Sequence, residues 1–363
     1  METVRKQALG IDVSKDELVV CLSHMMQEDG RVEKVRGRKF ANTYKGFEAL
    51  VIWLTKHALA DVHLVILMEA TGVYHENLAY FLYDHDYNVC IELANKVKAF
   101  GRSLNAYSKT DKIDAQLIAH MAAERNLETW QPSSSNMLML KALSRQREQL
   151  IAQRTRTRNQ LHAHRHSVCN CPTIEQRYQA LIEQYQDLEK QIEREMKQLV
   201  EAEQAIEESV ERLTSIHGIG LITALTVLAE MDGFALFTSR SQVVRYAGYD
   251  VEVKQSGSSL HGQGRISKRG NAHIRRALYM PSITAISQPG IFKDTYDRIV
   301  ERTGKAKMGL VAVQRKLLTT MFALHKNGTS YDVDHYKTSS QKGVGKPDDL
   351  PTVATPLQSA LVA

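Results

Sequence analysis

One acidic residue interrupts an apolar strand pattern near the start of the chain, in the stretch QALGIDVSKDELVVCLS at residues 7–23. Apolar residues alternate with small or polar residues from Leu9 to Ser14, which is the period of an extended strand. A polar turn and a second apolar run follow, so the stretch predicts a β-hairpin that contains Asp12. A buried carboxylate is costly unless cations or hydrogen-bond donors compensate it. Asp12 is therefore either an ion-paired or solvated strand residue or a functional one, and the other motifs have to decide.

The charge distribution limits the classes of function. The 363 residues allow two or three domains, and 47 lysines and arginines against 41 acidic residues give a formal net charge of +6. Many of the cations fall between Arg145 and Arg165 and between Arg265 and Arg276, which favours contact with a polyanion such as nucleic acid. Four cysteines without a signal peptide, and no apolar run of membrane-spanning length, predict a soluble cytoplasmic protein with no membrane partner.

A second acidic residue ends a second strand. The run HLVILMEATG at residues 63–72 is almost wholly apolar up to Glu69 and predicts a strand buried on both faces. A helix and a further strand, YNVCIELA, follow with short connections, and this alternation is typical of an α/β layer with right-handed crossovers. We therefore expect Asp12 and Glu69 on neighbouring strands of one sheet.

Two more acidic residues begin the helix that is predicted in KTDKIDAQLIA. Asp111 and Asp114 are three residues apart and therefore share one helical face. Acidic residues are common in a first helical turn because the helix dipole favours them, so the pair alone has an ordinary explanation. Together with Asp12 and Glu69, the pair indicates a site with four carboxylates.

The middle of the chain predicts a long helical hairpin. Residues 137–167 read as a polar helix rich in arginine, with Arg145, Arg154 and Arg158 among its cations, and a heptad pattern follows Pro172. We expect an antiparallel coiled coil that mediates assembly or clamps nucleic acid, although a solvated charged face explains the arginines equally well. The histidines and cysteines at the turn fit no common zinc-site spacing.

The last third of the chain carries glycine, serine and basic motifs. Gly218 and Gly220 separate two apolar helical segments, as in a helix-hairpin-helix whose backbone amides bind a phosphate, although an ordinary glycine turn has the same pattern. A Gly/Ser-rich loop at residues 255–264 then leads into a basic segment that opens a helix. The cations of this segment suit contacts with a nucleic-acid backbone: Arg265, Lys268, Arg269, Arg275 and Arg276. Beyond Tyr336 the composition predicts disorder.

Five motifs in this order resemble the insertion-sequence-110 (DEDD) transposases: GIDVSKD, MEATGVYHENL, KTDKIDAQLIA, IHGIG and SGSSLHGQGRISKRGNAHIRRALYM. The loop between Ser256 and Arg265 is similar in length to that of the 1111 subgroup. The resemblance implies an α/β plus α fold. Its parts would be a ribonuclease-H-like (RuvC-like) domain at residues 1–130, an antiparallel coiled-coil insertion at 131–212, a mainly helical transposase domain at 213–332, and a tail at 333–363.

The resemblance also implies the site residues and a cofactor. The positions that match the family's metal-binding acids are Asp12, Glu69, Asp111 and Asp114. Ser256 matches the nucleophilic serine of the family, with Ser258 and Ser259 as neighbouring alternatives. Four carboxylates can hold two divalent ions that clamp the attacking and leaving oxygens of a phosphoryl transfer. Ligands that are all oxygen favour Mg²⁺ or Mn²⁺ over zinc.

Several partners follow from the resemblance and not from composition or periodicity. They are double-stranded donor and target DNA, and a non-coding bridge RNA that is encoded beside the gene and pairs with both. Strand exchange between two duplexes requires several active sites, so we expect a homo-oligomer in which dimers assemble into a tetramer. Such a protein is bacterial and associates with the nucleoid when it is active.

The expected chemistry is strand exchange, and three other functions stay open. A recombinase rejoins strands without external energy, and attack by Ser256 on a phosphodiester would keep the energy of the bond in a phosphoserine. Arg265, Lys268 and Arg269 would hold the phosphate and offset its charge. The alternatives are a metal-dependent junction nuclease that uses water, a DNA invertase of the same family, and a non-enzymatic nucleic-acid scaffold whose acids are structural.

Overall fold

A computed structural model describes residues 3–70, 72–105, 110–252, 255–256, 260–261 and 265–332, with backbone only at 255–256 and 260–261. The chain forms two compact units that divide between Pro132 and Ser133. None of the helices in these ranges combines the length and the apolar character that crossing a bilayer needs.

The first unit is built around a five-stranded mixed sheet. Its strands are β1 (Val4–Val13), β2 (Glu17–Met26), β3 (Val32–Ala41), β4 (Leu64–Ala70) and β5 (Val89–Leu93). They lie in the order β3-β2-β1-β4-β5, with β1 antiparallel to β2 and parallel to β4. The hydroxyl of Ser14 closes the turn between β1 and β2, because it accepts a hydrogen bond of 3.1 Å from the backbone amide of Glu17. Because β1 is the middle strand in this order, the hairpin that contains Asp12 is at the centre of the sheet.

Helices cover both faces of this sheet. They are α1 (Tyr44–His57), α2 (Glu76–Asp84), α3 (Ala94–Ser103) and α4 (Asp111–Glu124). A threonine caps the start of α1 and of α4. The hydroxyls of Thr43 and Thr110 each accept a hydrogen bond of 3.3 Å from a backbone amide in the first turn. Leu50 and Leu78 of α1 and α2 pack on one face, and Ile118 of α4 packs on the other. These two cores confirm the predicted α/β layer.

The second unit is largely helical. Its helices are α5 (Ser135–Arg165), α6 (Pro172–Glu201), α7 (Gln204–Thr214), α8 (Leu221–Glu230), α9 (Arg240–Ala247), α10 (Ala272–Ala277), α11 (Tyr279–Ala285), α12 (Ile291–Thr303) and α13 (Ala306–Asn327). Two short antiparallel ladders join β6 (Val251–Glu252) to β9 (Arg265–Ile266) and β7 (Gln255–Ser256) to β8 (Leu260–His261). The predicted fold class, α/β plus α, is confirmed.

Helices α5 and α6 form an antiparallel pair. Arg147 of α5 is ion-paired with Glu193 at 2.7 Å, whereas Arg165, near the other end of α5, is ion-paired with Glu175. The two helices therefore run in opposite directions along each other. Both belong to the same compact unit as α7 to α13, so a separate coiled-coil domain stays a prediction.

The apolar faces of α8 and α13 supply much of the core of the second unit. Leu225 and Leu228 of α8 lie in one cluster with Val313 and Leu317 of α13, and all four are fully buried. Tyr249 is also fully buried, and its hydroxyl donates a hydrogen bond of 3.0 Å to the side chain of Gln314. This satisfied polar contact fixes the chain just before β6.

Candidate active site

Asp12 and Glu69 lie at the carboxyl ends of two neighbouring parallel strands. The described register between β1 and β4 ends with Ile11 beside Met68, so the two acids occupy the next position on each strand. Ile11 and Met68 belong to the core that α1 and α2 cover. Because side chains alternate along a strand, Asp12 and Glu69 face the other side of the sheet, on which α4 lies. We call this face the acid side, and both carboxylates are half-buried there.

Helix α4 lies directly on the acid side of β1 because Gly10 has no side chain. A Cβ atom at Gly10 would be 2.2 Å from the amide nitrogen of Ala119 and 2.3 Å from the carbonyl oxygen of Ala115. Both are backbone atoms, so no side-chain movement would relieve the contact. The glycine of the GIDVSKD motif therefore brings the helix down onto the strand that carries Asp12.

The direction of α4 brings the remaining two acids to the same end of the sheet. Lys6, near the start of β1, donates hydrogen bonds to the carbonyl oxygens of Ala122 and Arg125 at 2.6 and 3.2 Å. The C-terminal end of α4 is therefore at the start of β1, and its first turn is at the other end of this strand. Asp111 and Asp114 lie in that first turn, the former exposed and the latter half-buried.

The four acids share one edge of the sheet but do not form a closed metal site. Their oxygen donors have the chemistry that Mg²⁺ and Mn²⁺ prefer. Among the described residues, no three Asp, Glu, His or Cys side chains are close enough to one another to hold a metal ion. The donor set fits a hard divalent cation, and metal binding itself stays a proposal.

A lysine lies in the same cross-strand row as Asp12. Val19 of β2 pairs with Asp12 on one side and with Lys39 of β3 on the other. The Lys39 ammonium is 2.7 Å from the carboxylate of Glu17. This hydrogen bond raises the pKa of Lys39, and the negative charge of Asp111 adds a smaller effect in the same direction. Lys39 is therefore a cation in the row of Asp12 that also feels the charge of Asp111.

Glu92 is a fifth carboxylate at this edge, and the sequence motifs do not mark it. It pairs in register with Glu69 on the neighbouring strand β5 and therefore faces the acid side. Its carboxylate is 2.7 Å from the ammonium of Lys96 in the first turn of α3. The signal in the sequence is that Glu92 ends an apolar strand in the same way as Glu69.

The predicted nucleophile lies on a short hairpin in the second unit. Ser256 ends β7 and pairs with Leu260 of β8. Its side chain, like those of Ser258 and Ser259, lies outside the described part of the chain. The assignment of Ser256 as the nucleophile therefore stays a prediction.

Arg145, predicted to contact nucleic acid, is bound to a buried carboxylate inside the protein. Its guanidinium makes two hydrogen bonds to Glu230, of 2.7 and 3.0 Å, and the Glu230 side chain has no exposed surface. Asn271, which caps α10, donates a third hydrogen bond of 2.7 Å to the same carboxylate. Burial alone would raise the pKa of Glu230, but the bonds from Arg145 and Asn271 hold it below its ordinary value.

Arg275 also has an internal role. Its guanidinium donates hydrogen bonds to the carbonyl oxygens of Ala247, Gly270 and Asn271, at 2.7, 3.0 and 3.1 Å. The first carbonyl belongs to the end of α9, which Gly248 caps with a left-handed φ of +72°, and the other two belong to the turn before α10. Arg275 thus ties the backbone that precedes the serine hairpin to the backbone that follows it.

Two other predicted contacts are engaged within the second unit. Arg276 and His273 of α10 both contact the carboxylate of Glu148 on α5. Arg154 forms an ion pair of 2.7 Å with Glu189, whose side chain is 8% exposed. These contacts join α5 to α10 and to α6, and the Arg276 side chain is 63% exposed beside its partner.

The remaining predicted cations are available to a partner. Arg158, Arg265 and Lys268 are exposed, and none of them has an ion-pair partner in the ranges that the structure describes. Arg269 is exposed as well, and it reaches Glu252 at 2.6 Å in a surface ion pair, which costs little to exchange for a phosphate. These four are the better candidates for nucleic-acid contacts.

The two glycines of the IHGIG motif differ in their surroundings. Gly218 has a φ of +91°, and a Cβ there would be 3.0 Å from the carbonyl oxygen of Pro281 and 3.1 Å from the amide of Ala285. It serves the packing of the turn on α11. Gly220 is exposed at the start of α8, and a Cβ there would have no described atom within 4 Å, so of the two it is the one that presents open backbone.

The histidine and cysteine residues at the turn after α5 have structural contacts. His164 Nε2 is 3.1 Å from the backbone of Cys171, and the ring of His162 lies 4.3 Å from that of His166. Among the residues that the structure describes, none of these side chains belongs to a cluster that could hold a metal ion.

Two family models match this chain. One, described as a transposase, matches residues 9–169 and so spans the four acids. The other, described as a transposase of the IS116/IS110/IS902 family, matches residues 210–297 and so spans the serine hairpin and the basic segment.

Two curated relatives illustrate the range of similarity. The pilin gene-inverting protein of Moraxella bovis is 30% identical over 334 residues, which are 90% of this chain and 98% of that protein. The transposase for insertion sequence element IS1328 of Yersinia enterocolitica is 26% identical over 221 residues, 52% of this chain and 63% of that protein. Among solved structures, T. thermophilus RuvC in complex with a Holliday junction substrate superposes with a TM-score of 0.26 at 10% identity, covering 35% of this chain and 100% of that one.

Proposed function

Because the chain belongs to the IS110 family of transposases, we propose that it is the DNA recombinase of an insertion sequence and that it joins strands through a covalent phosphoserine at Ser256. The observation that carries this proposal is the common edge of Asp12, Glu69, Asp111 and Asp114. Helix α4 can reach this edge only because Gly10 lies beneath it. Solubility alone does not require four acidic side chains to lie together at one end of the sheet.

The acids are the residues that would hold a divalent cation, Mg²⁺ or Mn²⁺. When bound, such a cation supplies charge stabilisation at the attacking and leaving oxygens of the phosphodiester. Asp12 and Glu69 sit on rigid central strands, which suits ligands that must keep a fixed geometry. Asp111 and Asp114 sit in a capped first turn, where the helix dipole already favours negative charge.

The serine conserves the energy of the broken bond. Its Oγ attacks phosphorus, the bond from phosphorus to the leaving sugar oxygen breaks, and that oxygen takes up a proton as the serine hydroxyl loses one. In the reverse step, the hydroxyl of a second strand attacks the phosphoserine, and Ser256 leaves with a proton. Arg265, Lys268 and Arg269 follow the serine hairpin and would hold the phosphate in both steps.

The long helices and the partners complete the proposal. Helices α5 and α6 would act as a coiled-coil arm, with Arg158 as a contact to nucleic acid or to another copy. Exchange between two duplexes calls for a homo-oligomer, with dimers that assemble into a tetramer. Donor and target DNA would be selected by pairing with a bridge RNA, which we infer from the family resemblance alone.

Inversion of a DNA segment is a second candidate function. The observation that favours it is the similarity to the Moraxella pilin gene-inverting protein, which extends over 98% of that protein. Both reactions use the same breakage and joining of strands, so they differ in the arrangement of the DNA sites and not in the chemistry.

The proposal is tested by a plasmid that carries the gene with its native flanks, in cells whose products are sequenced across each new junction. We expect precise joined junctions with the wild type, from either movement or inversion, and none with Ser256→Ala. Broken ends without joined junctions would identify a junction nuclease instead. Joined junctions with Ser256→Ala would remove the serine from the reaction.

A further inference from the structure

The outer strand of the sheet carries two lysines on the acid side. Strand β3 pairs with β2 so that Lys39 lies opposite Val19, Gly37 opposite Cys21 and Lys34 opposite Ser23. The side chains of Cys21 and Ser23 are 3.7 Å apart on the acid side. Gly37 and Lys39 pair with Cys21 and Val19 and so face this side, and a register shift between Leu22 and Ser23 brings Lys34 to the same side. We call Lys34 and Lys39 the lysine pair.

Gly37 leaves the strand without a side chain between the two lysines. Apart from the backbone carbonyl of Val20, the nearest atoms to a Cβ placed there belong to the end of the Lys34 side chain, at 3.8 Å. The end of the Lys34 side chain therefore lies over Gly37, and both lysines are exposed on this strand. Lys34 and Lys39 pair with residues that are four positions apart on β2, so their backbone positions are about 14 Å apart. This separation matches about four nucleotides of one DNA strand.

Lysines on an edge strand often serve only to prevent pairing with other sheets. Two features of β3 are not explained by this protective role. Lys39 lies in the cross-strand row of Asp12, about 10 Å away at two strand spacings, and the charge of Asp111 acts on its ammonium. Lys34 has no carboxylate partner among the described residues, and the partner of Lys39 is the exposed Glu17.

The charges of the acids explain why cations at Lys34 and Lys39 would matter for DNA binding. A DNA strand that approaches the acids meets at least five carboxylates on the acid side if Glu92 is included, and like charges repel. Cations beside the acids lower this barrier, and phosphate contacts from lysine position a strand without reading its sequence. The exchange of Glu17 for a phosphate on Lys39 costs little because exposed ion pairs are weak.

We propose that Lys34 and Lys39 hold the phosphate backbone of the DNA strand that is cut and align it with the acids. This inference rests on the proposed function, because it takes the acids as the place of cutting. The partner is DNA and not RNA, because the lysine pair shares its side of the sheet and one of its rows with the acids.

The same strand supplies a matched control. Arg36 and Arg38 pair with Leu22 and Val20, so they face the opposite side of the sheet, over α1. Arg36 contacts His57 at 2.8 Å, and the Arg38 guanidinium lies 5.3 Å from the centre of the Phe40 ring. Replacement of both arginines removes the same charge from the same strand on the side away from the acids.

The first test is lysine acetylation of the full chain in EDTA, read by mass spectrometry, with DNA that carries the end of the element or with RNA transcribed from its flank. We expect the DNA to slow acetylation of Lys34 and Lys39, and not that of Lys45 and Lys56 on α1. Protection by the RNA alone, or unchanged acetylation in both arms, would overturn the assignment.

The second test compares Lys34→Gln/Lys39→Gln with Arg36→Gln/Arg38→Gln in binding to the same DNA at several salt concentrations. We expect the slope of log K against log salt to fall by about 1.4 to 1.8 for the lysine variant, the value for two phosphate contacts, and to stay unchanged for the arginine variant. Equal slopes in both variants would reduce the lysine pair to edge protection. Because binding is measured without metal, a failure of the phosphoserine chemistry would leave this result intact.

Discussion

Arg145 binds the carboxylate of Glu230 through two hydrogen bonds, of 2.7 and 3.0 Å, at a site where the Glu230 side chain is wholly buried. The pair joins α5 to α8, and Asn271 extends it to the start of α10. A buried carboxylate that loses its cation is strongly destabilising. The contact therefore secures the base of the long helix to the part of the chain that follows the serine hairpin.

We predict that Arg145→Gln lowers the free energy of unfolding by about 3 kcal/mol, because it leaves the charge of Glu230 buried without its main partner. Arg147→Gln, on the same helix, removes the ion pair with the half-exposed Glu193 and should cost less than about 1 kcal/mol. Denaturant unfolding followed by circular dichroism measures both. Equal losses in the two variants would show that Glu230 does not depend on Arg145.

Glu230 should also make the protein sensitive to acid. Burial raises its pKa, but the hydrogen bonds from Arg145 and Asn271 outweigh this effect and hold the pKa below the ordinary value of 4.5. A carboxyl group with a lowered pKa in the folded state adds stability above pH 4.5, and this stability is lost as the pH falls through the folded value. We expect the Tm of the wild type to fall more steeply below pH 4.5 than the Tm of Glu230→Gln. Parallel curves would contradict the prediction.

Gly10 should be essential for the position of the acids. In Gly10→Ala the new methyl group would meet backbone atoms of Ala115 and Ala119, so α4 would have to lift from the sheet with Asp111 and Asp114. We predict a loss of about 3 kcal/mol in stability, at the upper end of overpacking costs, together with loss of recombination. Gly220→Ala is the control, because a Cβ there meets no described atom within 4 Å. Its free energy of unfolding should change little. An active Gly10→Ala protein of normal stability would contradict the close approach of α4.

The acids should be needed for strand exchange and not for binding. Asp12→Asn keeps the shape of the side chain and removes its charge, so we expect no recombined product with Mg²⁺ or Mn²⁺ and nearly unchanged DNA affinity. Asp16→Asn, in the exposed turn of the same hairpin, should retain activity. Gel-shift and strand-exchange assays on the same preparations separate the two effects. Activity of Asp12→Asn would rule out a role of the acids in the chemistry.

The sequence predicts the strands and helices around the acids well because their signals are local. Asp12 and Glu69 interrupt apolar runs, and Asp111 and Asp114 begin a capped helix. The internal role of Arg145 could not be predicted, because its partner Glu230 is 85 residues away. Arg275 likewise resembles a phosphate contact in the sequence, although the carbonyl of Ala247, 28 residues away, and two carbonyls of the turn before α10 accept its hydrogen bonds. Glu92 ends an apolar strand as Glu69 does, but only the register of β4 and β5 places the two side by side.

The central claim is that the acids and Ser256 act together in one transesterification. The most direct measurement is mass spectrometry of the protein after reaction with end-labelled DNA of the element in Mg²⁺ and denaturation. We predict a nucleotide adduct on the peptide that contains Ser256 in the wild type, and no adduct in Ser256→Ala or Asp12→Asn. An adduct that persists in either variant, or free cut ends without any adduct in the wild type, would contradict the claim.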